Sequence, residues 1–342
     1  MSRRRFGSAG RRGAAISLQR RRLLLRAGAG VLALATAPSL RAQSWPSKPL
    51  RMILTAPPGS SIDVLGRLIG DQLRERLGQP VIAENRPQAG GTVGTDAVAK
   101  APADGTTIGL SFTGPLATAQ FLYAKLPYDP ARDLAPIVLV GTAPNILAVA
   151  SGLPVRSFKE LIDYVRARPG QLNYASVGNG SASHLAMELL KHMGGLYVVH
   201  IPFNGAPPAV QAAAAGDVQM IMSNPTSLLP LIQAGRIRPL AVTGPSRWPQ
   251  MKDLPTIAES GFAGFEAVAW NGFVAPAGTP REAIARLNQE INAILNSPQA
   301  RPRIEAAGWD VAGGTPEAFA AFMQAERRRW QPVIARSGAK LD

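Results

Sequence analysis

The chain of 342 residues contains no cysteine. This absence excludes disulfides, zinc held by thiolates, a thiol nucleophile and a lipid anchor on cysteine. Histidine is also scarce, and the three that are present are His184, His192 and His200. His184 and His192 lie two turns apart on a predicted helix, which is too far for them to share a metal ion. We therefore expect no metal site.

The sequence also lacks the common signatures of catalytic sites. It has neither a Gly-x-Ser-x-Gly elbow nor a Gly-x4-Gly-Lys-Ser/Thr phosphate loop. The glycine-rich segment Gly90–Gly94 does not follow the Gly-x-Gly-x-x-Gly spacing and predicts a turn into a helix. No nucleophile–base pair is visible. We expect no catalytic residues, and a secreted enzyme is kept only as a disfavoured alternative.

Acidic residues are absent from the first 42 positions, which carry ten arginines and no lysine. This segment holds most of the formal net charge of +15, because the rest of the chain has 27 basic and 22 acidic residues. The one dense basic run beyond it is Arg327–Arg329, late on a predicted helix whose acidic residues come early. That order suits the helix dipole and predicts a solvated helix end. We expect no nucleic-acid partner.

The first 42 residues have the layout of a bacterial signal peptide. A twin-arginine pair at Arg20-Arg21 precedes an apolar run from Ala27 to Leu40, which at about 14 residues is short of the ~20 that span a bilayer. We expect Tat-type export to the periplasm, with cleavage near Ala42-Gln43. The alternative is a basic arm on a cytoplasmic protein.

Beyond residue 43, short apolar strands alternate with helices, which predicts an α/β fold with mainly parallel sheets. The strand Leu50–Ala56 is followed by a helix from Ser61 to Leu77 with an apolar stripe at helical spacing. Strands at 145–150 and 267–275 bracket a middle block with its own alternation. If both cross between lobes, lobe 1 consists of residues 43–144 and 269–342, and lobe 2 of residues 145–268.

Two strand-to-helix turns, at 57–63 and 176–184, are rich in Gly, Ser and Asn. The carboxyl ends of strands in an open α/β sheet form the usual ligand crevice. Free backbone N–H groups at a helix N-terminus, together with hydroxyls, bind an anion without a cationic side chain. One turn on each lobe would therefore hold a carboxylate from both sides. The alternative is ordinary turn and N-cap chemistry.

Two aromatic side chains near these segments have open roles. His184 stands in the first turn of its helix, and we expect it to be a structural hydrogen-bonding group behind the loop. Trp270 stands on a crossing strand, where it either packs between the lobes or forms one wall of the cleft.

Longer segments match a known family in order along residues 45–338. In the first part of the chain they are Trp45–Arg51, Pro57–Gly59 with Asp63, Gly78–Val81, Glu84–Pro87, Ala89–Gly91, Asp104-Gly105 and Lys125–Asp129. In the second part they are Leu172–Ser176, Gly178–Gly180, His184-Leu185, Leu240–Thr243, Pro255-Thr256 and Ala275–Pro280. By these segments the chain resembles the substrate-binding receptors of tripartite tricarboxylate transporters, the Bug-type extracytoplasmic receptors.

The resemblance implies a type II periplasmic-binding-protein fold, in which two lobes joined by two crossing strands enclose a ligand cleft. It implies no catalysis and no cofactor. It also implies a ligand carboxylate held by loop amides, hydroxyls and bridging waters. Carried over to this sequence, the ligand-binding residues are Gly59, Ser60, Ser61, Asp63, Thr113, Ser176, Asn179, Gly180, Ser181, Phe203, Asn204, Ser223 and Asn224, with Trp270 as the candidate wall.

The chain departs from the family pattern at five of the positions in or near these loops. Ser60 and Ile62 replace the usual Gly and Thr, and Gln88 replaces a Gly. Phe203 and Ser223 stand where Tyr and Asp are common. The loss of Asp and Tyr removes polar groups that an ammonium would need. These departures disfavour an amino-acid ligand and favour a dicarboxylate or an aromatic carboxylate.

Together these expectations describe a monomeric periplasmic solute-binding protein. It would capture a small organic carboxylate, either a di- or tricarboxylate or an aromatic carboxylate, and deliver it to the membrane permease of a tripartite tricarboxylate-type transporter. The alternative is a ligand sensor that presents the bound solute to a membrane sensor kinase.

Overall fold

The computed structural model describes residues 45–341. The predicted signal peptide, with its twin arginines and its cleavage position, lies outside these residues. Residues 45–342 belong to one compact unit. Within the described chain, none of the helices combines the length and the apolar character needed to cross a membrane.

Strands and helices alternate along the described residues, as the sequence predicts. The strands are β1 (Leu50–Leu54), β2 (Val81–Asn85), β3 (Thr107–Phe112), β4 (Leu134–Pro144), β5 (Ile146–Ala150), β6 (Asn173–Ser176), β7 (Val199–Pro202), β8 (Met220–Ser223), β9 (Ile237–Val242), β10 (Val268–Pro276) and β11 (Asp310–Gly313). The α-helices are α1 (Ser61–Leu77), α2 (Thr92–Ala99), α3 (Ala119–Leu122), α4 (Phe158–Arg166), α5 (Ala182–Gly194), α6 (Ala206–Ala215), α7 (Pro225–Gln233), α8 (Arg281–Leu295), α9 (Arg301–Ala306) and α10 (Pro316–Ser337).

The strands form two separate sheets. The first has six strands in the order β11-β4-β10-β3-β1-β2, and the second has five in the order β7-β6-β8-β5-β9. Pairing is parallel among β1, β2 and β3 and among β6, β7 and β8. Every antiparallel pair of the two sheets involves β4, β5 or β10. The sheets are therefore mixed, and the expectation of mainly parallel sheets is wrong. The reason is that β4, β5 and β10 stand where the chain goes from one sheet to the other without an intervening α-helix.

The chain passes between the sheets twice, and the two passages are held together. β4 ends at Pro144 and β5 begins at Ile146, so Asn145 is the first passage; the return runs from β9 to β10. Thr243, just after β9, donates its backbone N–H to the carbonyl of Asn145 at 2.9 Å. Its hydroxyl accepts the N–H of Asn145 at 2.8 Å and donates to the carbonyl of Ala267. A single threonine thus fixes the passages side by side.

The loop between β1 and α1 is positioned by α1, whose bounds follow from its sequence. Ser60 caps its N-terminus by accepting the backbone N–H of Asp63, and Gly78 ends it in the left-handed conformation with φ of 64°. The stripe predicted from the sequence is buried against β1, with Leu65 and Ile69 fully inaccessible. Burying each such side chain stabilises the fold by about 1.5–3 kcal/mol, so the helix N-terminus is held firmly at the end of β1.

The last helix, α10, contributes to the cores of both sheets. Near its start Phe319 and Met323 pack in a cluster with residues of β1 and β10. Near its end Trp330 and Ile334 pack in a cluster with residues of β5, β6 and β8. Glu326 lies between these two halves and is almost fully buried. This helix therefore ties the second sheet to the first.

The basic run on α10 is only partly the solvated helix end that the sequence predicts. Arg328 is exposed. Arg327 is half-buried and donates to the carbonyl of Leu116 at 3.2 and 3.3 Å, and burial lowers the pKa of its guanidinium. Arg329 donates to the backbone carbonyl of Glu266. The prediction is wrong for Arg327 and Arg329 because the helix runs on to Ser337, so these side chains lie over neighbouring segments.

Candidate functional site

A cleft opens where strands of both sheets end. Segments of the first sheet supply the lining residues Ala56, Ser60, Ser61, Ile62, Phe112, Thr113, Ala269, Trp270, Asn271 and Trp309. Segments of the second sheet supply Asn145, Val177, Ser181, Ala182, Ser183, Gly205, Ala206, Ser223 and Asn224. This is the place where the sequence predicts the ligand crevice.

The loop between β1 and α1 forms the first wall of the cleft. Ser60 and Ser61 line it at the N-terminus of α1. Asp63 does not line it: its carboxylate accepts the backbone N–H of Gly59 at 3.0 Å and the guanidinium of Arg67 at 2.8 Å. Burial alone would raise the pKa of Asp63, but these bonds and one from Asn85 outweigh it and hold the pKa low. Asp63 therefore shapes the loop and does not face a ligand.

The loop between β6 and α5 forms the opposite wall. Ser181 caps α5 by accepting the N–H of His184 at 3.3 Å, and its hydroxyl donates to the carbonyl of Gly178 at 2.6 Å. Ser183 accepts the N–H of Val177 at 3.1 Å. The fold thus presents two serine-bearing helix N-termini, one from each sheet, across the same cleft.

A buried network of polar side chains supports this second loop. The rings of His184 and His200 are stacked with centroids 4.1 Å apart, and Tyr174 stacks on the other face of His200 at 4.7 Å. The Oγ of Ser176 lies 2.7 Å from His200 Nε2, and the N–H of Gly180 donates to His184 Nδ1 at 3.0 Å. His184 thus holds the loop from behind, the structural role that we expected for it.

The two histidines of this network are held neutral. Burial lowers the pKa of His184 to about 4, and Lys191 acts in the same direction. Burial also lowers the pKa of His200 to about 3, where the neighbouring His184 adds to the effect and Glu188 opposes it. Tyr174 donates to Glu188 at 2.7 Å, and burial raises its pKa. Because neutral His184 can accept the N–H of Gly180 and protonated His184 cannot, the loop geometry depends on the neutral form.

We expect the protein to lose stability as the pH falls from about 6.5 towards 4. In this window the unfolded chain binds protons at its histidines, whereas folded His184 and His200 stay neutral, so protonation favours unfolding. Above pH 6.5 both states are neutral and this contribution vanishes. Each histidine contributes a slope of at most about 1.4 kcal/mol per pH unit. Urea unfolding at pH 7, 6 and 5 measures the slope.

His184→Asn supplies the test of that assignment. An asparagine oxygen can still accept the N–H of Gly180 but does not titrate, so the slope should decrease by up to about 1.4 kcal/mol per pH unit. His192→Asn, at an exposed position on the same helix, is the matched control for the effect of the substitution itself. Equal slopes in His184→Asn and the unmodified protein would contradict the assignment.

The floor of the cleft carries side-chain atoms without hydrogen-bond partners. Within residues 45–341, six buried side-chain N or O atoms have none, and four of them belong to residues that line the cleft. These four are Thr113 Oγ1, Asn145 Nδ2, Ser223 Oγ and Asn271 Nδ2. All four residues are at most 2% exposed. Since buried polar groups in folded proteins are nearly always paired, this cluster marks a place where a polar ligand fits.

The cleft is lined by neutral groups. Among residues 45–341, no lysine, arginine, histidine, aspartate or glutamate is part of the lining. An anion here would be held by the partial positive charge of two helix N-termini and by amide and hydroxyl donors. Also among the described residues, no group of three or more His, Asp and Glu side chains could hold a metal ion.

The structure brings seven of the predicted ligand-binding residues to the cleft and leaves seven outside its lining. Those in the lining are Ser60, Ser61, Thr113, Ser181, Ser223, Asn224 and Trp270. Those outside it are Gly59, Asp63, Ser176, Asn179, Gly180, Phe203 and Asn204. Ser176 is fully buried behind its loop, Phe203 packs against a hydrophobic cluster and Asn204 is exposed. Only half of the predicted residues line the cleft because one side of each loop faces the cleft and the other faces the protein interior. A sequence motif does not show which residues lie on which side.

Trp270 both packs in the interior and lines the cleft, the two roles between which the sequence does not decide. Its ring is fully buried and packs edge-on against Phe319 and Phe322 at centroid distances of 5.9 and 5.4 Å. Its indole N–H donates to Glu326 at 2.9 Å. The same side chain forms part of the cleft lining, so the cleft wall is continuous with the packed interior.

Several polar lining residues were missed by the sequence interpretation. Asn145, between β4 and β5, and Asn271, within β10, both line the cleft, although both belong to segments that the sequence predicts as apolar strands and not as part of the site. A polar amide in the middle of a hydrophobic strand is the signal that could have revealed them, because such a group needs a partner when buried. Trp309 was also missed; its indole N–H donates to Thr226 at 2.8 Å and its ring lines the cleft.

Two sheets, two passages between them and a ligand cleft at the strand ends together define a two-lobe solute-binding protein. A family model described as "Tripartite tricarboxylate transporter family receptor" matches residues 65–339. The chain belongs to this family, as the sequence resemblance predicts. Protein BugT of Bordetella pertussis is 36% identical over 321 residues, which span 94% of this chain and 98% of BugT.

Solved structures of similar proteins cover almost all of the described residues. Rpa4515 of R. palustris, solved with adipate, has a TM-score of 0.84 and 38% identity, covering 87% of this chain and 100% of that one. The periplasmic binding protein BugD has a TM-score of 0.82 and 32% identity, covering 86% and 99%. MatC from Rhodopseudomonas palustris, with bound malate, has a TM-score of 0.81 and 31% identity, covering 85% and 100%. The fold is thus that of periplasmic solute receptors.

Proposed function

We propose that the protein captures a small organic carboxylate in the cleft and delivers it to the membrane permease of a tripartite tricarboxylate transporter. One observation carries the proposal: two serine-bearing helix N-termini, from opposite sheets, face one cleft whose described lining has no charged side chain. Such N-termini favour a carboxylate and leave no partner for an ammonium group. The adipate and malate bound by similar receptors agree with this ligand class.

The division into two lobes is also part of the proposal. We assign residues 43–144 and 269–342 to lobe 1 and residues 145–268 to lobe 2, with the passages at Asn145 and Ala267 as the hinge. The membership of the strands in the two sheets supports this division. A ligand that contacts both walls binds fully only when the lobes are closed, so binding shifts the population towards the closed form.

The cellular setting is part of the proposal. Residues 1–42 would direct export to the periplasm and be removed near Ala42-Gln43, and the mature protein would act as a monomer without catalysis. The uncharged lining supports a binding role, since it offers no general base or acid for a reaction. The receptor family to which the chain belongs supports delivery to a transporter.

Thermal melts against a panel of carboxylates test the ligand class. The protein should first be unfolded and refolded to remove co-purified solute. A carboxylate present at 100 times its Kd should stabilise the folded state by about 2.7 kcal/mol and raise the Tm by several degrees. An absence of any shift across di-, tri- and aromatic carboxylates, with protein shown to be refolded, would refute the proposal.

Ser181→Ala tests whether the ligand lies at the α5 N-terminus. Ser181 and Ser157 are both N-cap serines, of α5 in the cleft and of α4 away from it. Each alanine variant should lose about 1 kcal/mol of stability through the lost cap. Only Ser181→Ala should also weaken carboxylate binding, by about tenfold, whereas Ser157→Ala should bind as the unmodified protein does. Equal binding by both variants would place the ligand elsewhere.

A further inference from the structure

The four unpartnered atoms on the cleft floor fall into two similar pairs. In the first sheet, Asn271 of β10 is opposite Phe112 of β3, and Thr113 is the next residue along. In the second sheet, Ile146 of β5 is opposite Ser223 of β8, and Asn145 precedes Ile146. Each sheet therefore contributes one amide and one hydroxyl from neighbouring segments to the cleft lining, and Asn145 is itself the first passage between the sheets.

These pairs are distinct from the helix N-termini on the walls. The walls offer backbone N–H groups at the starts of α1 and α5 together with serine hydroxyls. The floor offers two side-chain amide nitrogens and two hydroxyls, all buried and without a partner among the described residues. Leaving four such groups unpaired costs far more than leaving one, because each loses its hydrogen bonds to water. The floor is thus built to be completed by a second polar group of a ligand.

The chemistry of these atoms defines what that group is. Both amide nitrogens are donors only, and both hydroxyls can donate. No carboxylate is part of the described lining, so a bound ammonium would lose its water and gain no anionic partner. A carboxylate, whose two oxygens have about four lone-pair sites, can accept a hydrogen bond from each of these groups. Apolar side chains such as Ile62, Phe112 and Ala182 complete the lining, which suits a short hydrocarbon link between the two polar ends of a ligand.

We propose that Thr113 with Asn271, and Asn145 with Ser223, form a second subsite that binds an oxygen-bearing group at the far end of the carboxylate ligand and rejects ammonium. The inference rests on the proposed carboxylate function and adds to it a ligand with an oxygen acceptor at each end. Because one pair stands on each sheet beside a passage, a group bound to both pairs holds the lobes together at the hinge. Ligand length and lobe closure are coupled through these four side chains.

Calorimetry with matched ligands tests the subsite. The probes are succinate with butyrate, glutarate with pentanoate, and adipate with hexanoate, together with 6-aminohexanoate. Each pair has equal carbon number and shares the first carboxylate, and differs only in the far end. At the length that the cleft accepts, the dicarboxylate should bind at least tenfold more tightly than its monocarboxylate. The ammonium compound should bind more weakly than hexanoate.

Variants of the floor residues test whether they cause the preference for the dicarboxylate over its monocarboxylate. Thr113→Val removes a hydroxyl at constant shape, and Asn271→Asp replaces a donor with a charged acceptor. Both should reduce the preference for the dicarboxylate over its monocarboxylate at least tenfold, and Thr113→Val, which adds no charge, should leave monocarboxylate binding within about threefold. Asn296→Asp, an exposed position at the end of α8, controls for added charge and should change neither. Thermal melts without ligand identify any variant that has lost its fold, and Thr113→Val serves if Asn271→Asp does not fold.

The outcomes separate this inference from the proposed function. If no carboxylate binds in either series or in the thermal panel of di-, tri- and aromatic carboxylates, the proposed function fails and the subsite fails with it. If mono- and dicarboxylates bind equally and the floor variants bind as the unmodified protein does, the carboxylate function stands and the subsite is refuted. Tighter binding of 6-aminohexanoate than of hexanoate would also refute it, since the asparagine oxygens would then face the ligand.

Discussion

Replacement of Glu326 by leucine should lower the free energy of unfolding by about 2–6 kcal/mol. The Oε2 atom of Glu326 accepts the indole N–H of Trp270 at 2.9 Å and that of Trp330 at 3.0 Å, and both indoles are fully buried. Leucine has a similar size but no acceptor, so two buried donors are left unpaired at about 1–3 kcal/mol each. Urea unfolding followed by circular dichroism measures the loss.

Two further variants make the cause specific. Glu326→Gln keeps one oxygen, which can accept both indole N–H groups as Oε2 does, so its loss should be well below that of Glu326→Leu. Gln324→Leu, at an exposed position on the same helix, should stay within about 0.5 kcal/mol of the unmodified protein. A Glu326→Leu variant as stable as the Gln324→Leu control would show that the two indoles do not depend on this carboxylate.

The position of Glu326 gives this interaction its importance. Trp270 forms part of the cleft lining, while Trp330 belongs to the hydrophobic cluster of the second sheet. One carboxylate therefore joins the cleft wall to the far core through α10. A second, weaker interaction adds to this connection: Arg329 forms an ion pair with Glu266 at 3.3 Å near the return passage.

Gly272→Ala should destabilise the protein by about 1–3 kcal/mol, because the interior has no room for the added methyl group. A Cβ at Gly272, in the middle of β10, would lie 2.6 and 2.8 Å from two ring carbons of Phe319 and closer still to Cζ. Phe319 is 1% exposed and packs against Trp270. The ring cannot move away without disturbing the cleft wall, so the strain is not easily relieved. Thermal and urea unfolding both report the loss.

A double-mutant cycle identifies the clash as the cause. Phe319→Leu opens space beside Gly272, so Gly272→Ala should cost less in that background than alone. Gly152→Ala is the control, because nothing lies within 4 Å of a Cβ added there. Simple additivity of Gly272→Ala and Phe319→Leu would mean that the loss has another origin.

Local features of the fold could be predicted from the sequence because they depend on nearby residues. The helix Ser61–Leu77 is confirmed at both ends, since its apolar stripe and its terminal glycine act within the helix itself. The family is confirmed as well, because its segments are spread along the chain at fixed spacing. The order of the strands could not be predicted: the position of β10 between β3 and β4 depends on contacts between segments more than a hundred residues apart.

The site could be predicted only in part, for a related reason. The sequences of the turns that bear Ser60 and Ser181 predict helix N-termini, and both serines line the cleft. Asp63 belongs to the same motif but turns inward to bond with the N–H of Gly59. Asn145 reaches the floor because it joins the two sheets, and Asn271 reaches it because β10 pairs with the end of β3. Which face of a strand or loop meets a cavity is decided by packing, and short patterns do not record it.

The central claim is that a carboxylate lies between the two sheets, and a crystal structure with the best stabilising carboxylate from the thermal panel tests it most directly. We predict ligand density in the cleft, with one carboxylate at the N-termini of α1 and α5 and a second oxygen-bearing group within hydrogen-bonding distance of Asn145 and Asn271. Saturating ligand bound at any other surface, with only solvent in the cleft, would contradict the account.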